Sequence, residues 1–378
     1  MAAEPQNIVI VGGGCAGLSV FNALHAKLSK VSSSTKTSLT LITSRPFFTH
    51  IPALLRTAVT SEGHLEERIL IPLTAERFTQ GNNKLIVASV VNVVDDSVQG
   101  QHHVVLDNGE TVSFSVLVLA PGSIWEGPID LPNTKAEVIE KFQSWRDRFA
   151  KAKDVVLVGG GSIGAELAGE IKDLDSNKNV TIVHSNALLF NESYPDRWRN
   201  KGAQTFRDRG INFVLDDYVD DIEIKDGNVH TRSGKSIKAD LIIPTRGPRP
   251  NTSFFSSLDN GDALTKAGYV KVLPTLQLVN HPRIFAAGDV IEWNEQKQAG
   301  KVTGHASVVV NNILVLLGQA KALQQYKSGP ELIVVTNGKN GGTGYAGVLW
   351  GIILGNWLCK VIKSKTLLIS IVKSTLQL

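Results

Sequence analysis

Two glycine loops of one design, each closing a short apolar strand, constrain this chain more than any other feature. The first runs Ile8–Val11 into Gly12-Gly13-Gly14-Cys15-Ala16-Gly17, and the second runs Val155–Val158 into Gly159-Gly160-Gly161-Ser162-Ile163-Gly164, 147 residues further on. Each pattern predicts a strand, a tight turn and the start of a helix. The first two motif glycines let the backbone turn and approach a pyrophosphate, and the third lets helix and strand pack closely. The helix N-terminus then supplies N–H donors to the anion. Two such units imply two dinucleotides on one chain. The economical reading is a flavin at the first loop and a nicotinamide at the second, with hydride passing between them.

A chain of 378 residues, 42% hydrophobic and 20% charged, is long enough for two or three ordinary globular domains. Its net charge of +4 gives no case for a nucleic-acid partner. Cys15 and Cys359 are its two cysteines, with no Cys-x-x-Cys, so neither a disulfide framework nor a dithiol relay is expected. Electrons must leave the flavin directly. The leader Met1–Pro5 has no basic or apolar run, and Ala2 excludes N-myristoylation, so residence on the cytosolic side is expected.

The strand and helix pattern predicts an α/β fold of two Rossmann-like dinucleotide-binding domains and a short C-terminal membrane-associating segment. A discontinuous flavin domain takes residues 1–125 and 247–328, a nicotinamide domain 126–246, and the C-terminal amphipathic segment 329–378. Strands are expected at Leu39–Ile42, Leu85–Val94, Val116–Leu119, Val180–Val183, Ile211–Leu215, Ile222–Ile224 and Leu241–Ile243, with a first helix over 18–30 and a long one from about Thr303 to Lys321. The Ser/Thr/Lys-rich run Val31–Ser38 reads as a solvated connection.

Several side chains can act on these cofactors. Gly12, Gly14 and Gly17 are assigned to the flavin pyrophosphate, and the turns Ala120-Pro121-Gly122 and Thr245-Arg246-Gly247 end corresponding strands. No acid follows strand Leu39–Ile42, so Ser44 or Arg45 must take the adenosine contact. Asp289, after an apolar strand and a glycine, suits ribitol hydroxyls, against the plainer reading of a turn aspartate. Thr303 and His305 open the next helix, whose free N–H groups face the reduced flavin; His305 is given no proton-transfer role. At the second loop Gly159, Gly161, Ser162, Ile163 and Gly164 hold the nicotinamide cofactor, with Glu166 reaching the nicotinamide or serving as a salt-bridged helix carboxylate. His184 stands where an acid would select against a 2′-phosphate, either as a ribose or phosphate contact or as a surface residue. NADH and NADPH are therefore both admissible.

The last segment has its own pattern. Placed on a helix over 347–363, Trp350, Ile353, Leu354, Trp357, Leu358, Val361 and Ile362 share one face opposite Asn356, Lys360 and Lys363. Five lysines and no acid follow Glu331. The pattern predicts a helix lying on an anionic membrane surface, with core packing as the alternative. The run Gly341–Cys359 is uncharged but holds six glycines, which argues against a span.

The triple-glycine loops, Ala120-Pro121-Gly122, Thr245-Arg246-Gly247 and Ala287-Gly288-Asp289 resemble the two-dinucleotide-domain flavoprotein reductases over residues 7–325. Gly159–Lys172, Thr181–Ser185, Tyr326–Pro330 and Lys363-Ser364-Lys365 resemble the ferroptosis suppressor protein branch of apoptosis-inducing-factor-like enzymes, related to type II NADH dehydrogenases. The resemblance implies FAD, NADH or NADPH, and two-electron reduction of a membrane quinone of the ubiquinone or vitamin K type. It implies flavin contacts at Gly12–Ala16, Arg56, Val91 and Asp289, with Lys363 near the flavin and quinone. Ala2 and Ser44-Arg45 depart from that pattern. A NADH-sensing interaction protein with slow turnover is the competing class, and a homodimer stays open.

Overall fold

The computed structural model describes residues 6–29, 37–78, 81–96 and 98–378; the leader Met1–Pro5 and most of the Val31–Ser38 loop lie outside them. Gln6–Val11 is a strand paired in parallel with Thr37–Thr43 on one side and Val116–Leu119 on the other. Toward their carboxyl ends these strands are buried without alternation because helices and loops cover both sheet faces. The first sheet has the order 277–278, 281–286, 116–119, 6–11, 37–43, 84–87, parallel except for its first pair. Helices Cys15–Leu28 and Val302–Leu316 pack together and onto it through Leu18, Phe21, Leu24, Val309 and Ile313.

A second, fully parallel sheet repeats the arrangement in the order 211–214, 179–183, 154–158, 241–244. Its glycine loop opens helix Ser162–Leu174. In both sheets the strand before the glycine loop lies between neighbours whose connections leave in opposite directions. A crevice opens at that switch point, beyond the carboxyl ends of the strands.

Four expectations are corrected. The single strand expected over Leu85–Val94 divides. Lys84–Val87 stays in the first sheet, whereas Val90–Asp96 joins an antiparallel sheet with Gln101–Leu106 and Thr111–Ser113. Among the described residues no strand forms at 222–224. The long helix stops at Leu316, two residues before Gly318 takes a positive φ of 70°.

The largest correction concerns residues 347–363, which do not form one helix. Leu332–Thr336, Gly342–Ala346 and Ile352–Leu354 make a three-stranded antiparallel sheet. A short helix Asn356–Cys359 follows, widening into a π turn over Lys360–Ser364, and then a helix Ile369–Leu376. Glycines here serve the sheet and its turn. A Cβ on Gly342 would stand 2.4 Å from the Val335 carbonyl oxygen, and Leu349, Trp350 and Gly351 reverse the chain with positive φ. This sheet rests on helix Ser162–Leu174, where Gly169 is so close that a Cβ would meet the Gly338 nitrogen at 2.6 Å. No described helix is long and apolar enough to cross a membrane.

Candidate functional site

The loop glycines divide by what a side chain would meet. A Cβ on Gly12 would lie 2.1 Å from the Ala120 carbonyl oxygen, and one on Gly17 would lie 1.9 Å from that of Gly12. The second loop repeats this, with Gly159 2.5 Å from the Thr245 carbonyl oxygen and Gly164 2.0 Å from that of Gly159. These four positions hold strand, turn and helix together. Gly14 and Gly161, by contrast, face open space with nothing within 4 Å, and each precedes a helix whose first N–H groups have no side-chain cap. An uncapped helix N-terminus behind a cradle that a Cβ would fill fits a pyrophosphate at each loop.

A cavity of about 1420 Å³ joins the two units. Gly12, Gly13, Gly14, Cys15 and Ala16 form its floor, and Ser44, Arg45, Val91, Ala120, Gly122 and Asp289 line it further along. Ser162, Ile163 and Glu166 enter from the second nucleotide helix, and Ile362, Lys363, Leu368 and Val372 close it from the C-terminal segment. One chamber therefore touches the first glycine loop, the start of the second nucleotide helix and an apolar wall. Burial and the nearby Asp289 push the Cys15 thiol up to about 11, so it stays a neutral wall atom.

Glu166 and Lys363 meet inside this chamber although 197 residues separate them. Lys363 Nζ donates to Glu166 Oε1 at 2.6 Å and to the Val334 carbonyl at 2.9 Å, while the Thr336 N–H donates to the same Glu166 oxygen at 2.8 Å. An ammonium has three N–H donors, so one remains for the chamber. The salt-bridged reading of Glu166 thus holds, with a cavity residue as its partner.

The other predicted site residues divide between the chamber and its surroundings. Arg56 does not line the cavity: its guanidinium is buried, paired in two 2.8 Å hydrogen bonds with Glu170 and donating to the Ser364 carbonyl at 2.7 Å. Arg45 reaches the chamber but donates to the Leu131 and Pro132 carbonyls. His184 lies behind the second loop, its Nδ1 accepting the Gly160 N–H at 3.1 Å, and burial holds its pKa below the ordinary value. Gly17, Gly159, Gly161, Gly164 and Gly247 are outside the cavity wall, as are Thr303 and His305. Asp289 accepts from Ser123 Oγ at 2.7 Å.

Sequence reasoning passed over His50, which lines the chamber and reaches the Leu367 carbonyl at 2.6 Å through Nε2, so that ring nitrogen carries the proton. It also passed over Tyr326 and Lys297, which line the same chamber. Tyr326 was visible only inside the Tyr326–Pro330 motif, and His50 carries no local signal.

The pyridine nucleotide-disulphide oxidoreductase family model matches residues 6–311. An FAD-dependent oxidoreductase of Flammulina velutipes is 47% identical over 313 residues, covering 82% of this chain and 96% of its own. Ferroptosis suppressor protein 1 of Taeniopygia guttata is 30% identical over 377 residues, covering 96% and 94%. Among solved structures, the sulfide:quinone oxidoreductase of Aquifex aeolicus aligns with a TM-score of 0.77 at 18% identity, over 98% of this chain and 92% of that one, which shows a shared fold. With glycine loops, uncapped helix ends and a family match in agreement, the chain belongs to the pyridine nucleotide-disulphide oxidoreductase family, as an FAD-dependent oxidoreductase whose cofactors are FAD and NAD(P)H.

Proposed function

We propose that this protein is an NAD(P)H:quinone oxidoreductase working at a membrane surface, built from a flavin domain over 1–125 and 247–328, a nicotinamide domain over 126–246 and an acceptor-side segment over 329–378. The cavity that joins the first glycine loop, the second nucleotide helix and the apolar C-terminal wall carries this reading. Bound FAD would take a hydride from NAD(P)H and return two electrons to the acceptor. The chain's own residues hold the rest of the chemistry. Gly14 and Gly161 leave room for two pyrophosphates, Asp289 holds ribitol hydroxyls, and Lys363, oriented by Glu166, offers an N–H to the acceptor's carbonyl oxygen. Leu332, Ile362, Leu368 and Val372 give that end an apolar lining, which suits an apolar ring.

The test is anaerobic. Addition of NADH should bleach the flavin absorbance, and a quinone should restore it; a flavin that reoxidises slowly with every quinone would favour the sensing class, and one that stays oxidised would refute both. Gly161→Val should retain FAD and weaken NADH about tenfold or more, read as the substrate dependence of stopped-flow bleaching. Unchanged bleaching would refute the division of labour between the loops.

Membrane contact rests on exposure rather than on a helix. Leu349, Trp350 and Trp357 are 76%, 96% and 72% exposed, and Val361 and Ile362 beside Lys363 are exposed as well. Exposed apolar side chains in a segment whose charges are all lysines suit an anionic lipid surface, and Ile362 and Lys363 of that segment also line the chamber. Trp350→Glu with Trp357→Glu should reduce binding to anionic liposomes and turnover of a long-tailed quinone, leaving a short quinone's turnover intact. Equal loss of both activities would refute it.

A further inference from the structure

Behind the cavity wall, outside the chamber, lies a buried dyad that neither glycine loop uses. His305 and Glu295 have side chains 2% and 1% exposed, with His305 Nε2 2.9 Å from Glu295 Oε1. The other ring nitrogen, Nδ1, accepts the backbone N–H of Gly288 at 3.1 Å. Gly288 has φ of 81°, and a Cβ there would stand 2.9 Å from the Ala16 Cβ, so the turn that presents Asp289 is set against the first nucleotide helix. Glu295 is engaged on its second oxygen too, by the Tyr326 hydroxyl at 2.7 Å, and Tyr326 packs edge-on to the His305 ring at 4.4 Å.

Two ends of the ring dictate the same tautomer. A carboxylate accepts only, so the nitrogen facing Glu295 must carry the proton; a peptide N–H donates only, so the nitrogen facing Gly288 must present its lone pair. A doubly protonated ring would set N–H against N–H at Gly288 and leave a buried donor unpaired.

We infer that His305 is a positioning residue for Asp289, acting as the neutral Nε2–H tautomer that anchors the Gly288–Asp289 turn, and that protonation of this ring loosens FAD. The inference rests on the assignment of Asp289 to the flavin. Groups facing the ring are Glu295, Tyr326, Lys297 and Asp289, with Lys301 3.8 Å from Glu295. Burial holds the His305 pKa below its ordinary value, while the Glu295 carboxylate pulls it back up. The sign follows: the depressed pKa leaves the anchor intact near neutral pH and undoes it as pH falls through that pKa.

The test is titration of apoprotein with FAD, read by flavin fluorescence from about pH 8 to about pH 5. Wild-type affinity should fall roughly tenfold or more toward acid. Glu295→Gln keeps an acceptor for Nε2–H but removes the charge that favours the protonated ring, so its fall should move to lower pH with unchanged affinity at about pH 8. His305→Gln should bind more weakly throughout and lose this acid step. Nitrogen NMR of the ring should report Nε2–H, independently of either variant's folding. An Nδ1–H tautomer, or the same acid profile in wild type and Glu295→Gln, overturns the inference. Apoprotein that does not bind FAD at about pH 8 overturns the flavin assignment beneath it.

Discussion

Gly14→Val is expected to give folded but colourless protein. Nothing lies within 4 Å of the added Cβ, so the chain itself accommodates valine, while the side chain fills the space in front of the uncapped helix N-terminus. Charge-assisted hydrogen bonds contribute about 1.5–3 kcal/mol each, so losing two of them weakens FAD on the order of a hundredfold or more. Gly17→Ala should behave in the opposite way. Its smaller side chain meets the Gly12 carbonyl oxygen at 1.9 Å, and the cost should exceed about 3 kcal/mol, read as insoluble or unfolded chain. Flavin absorbance and circular dichroism on both variants decide the matter. A yellow Gly14→Val, or a well-folded Gly17→Ala, would show that the two glycine classes are wrongly divided.

Arg56→Ala is expected to lower stability by about 3–5 kcal/mol, because it leaves Glu170 buried without its partner. The pair's side chains are 10% and 4% exposed, and Arg56 also holds the Ser364 carbonyl, so the lesion lies where Leu54–Val59, Ser162–Leu174 and the C-terminal segment meet. Replacing Arg56 and Glu170 together with apolar residues should recover most of the loss, since desolvation of the ion pair disappears with its attraction. Urea unfolding measures both. A loss under about 1 kcal/mol for the single variant would mean that water enters the pair and that it behaves like a surface contact.

The glycine loops were legible because their chemistry is local: a turn, an open face and a helix end lie within six residues, and the flanking apolar runs belong to strands buried on both sides. Lys363 and Glu166 were each visible, but their meeting depends on a sheet and a π turn formed far from either in sequence. The C-terminal error has a definite origin. Gly347, Gly351 and Gly355 recur every four residues and the apolar residues between them imitate a helical stripe, whereas antiparallel pairing with Leu332–Thr336 is a non-local property that periodicity does not report. Arg56 shows the converse. Resemblance placed it at the flavin, and the carboxylate that claims it lies 114 residues away.

Synthesis runs from the first glycine loop toward the C-terminal segment, and that direction gives the cavity a history. Lys363, Leu368 and Val372 form its final wall, and Leu376 is fastened back to the first domain by Asn22 and Arg77 at its carbonyl. Everything those residues press against has been made before they appear. Until they dock, the Gly12–Ala16 floor lacks that wall, so the chamber that joins the first glycine loop to the C-terminal segment is completed by the last part of the chain to be made.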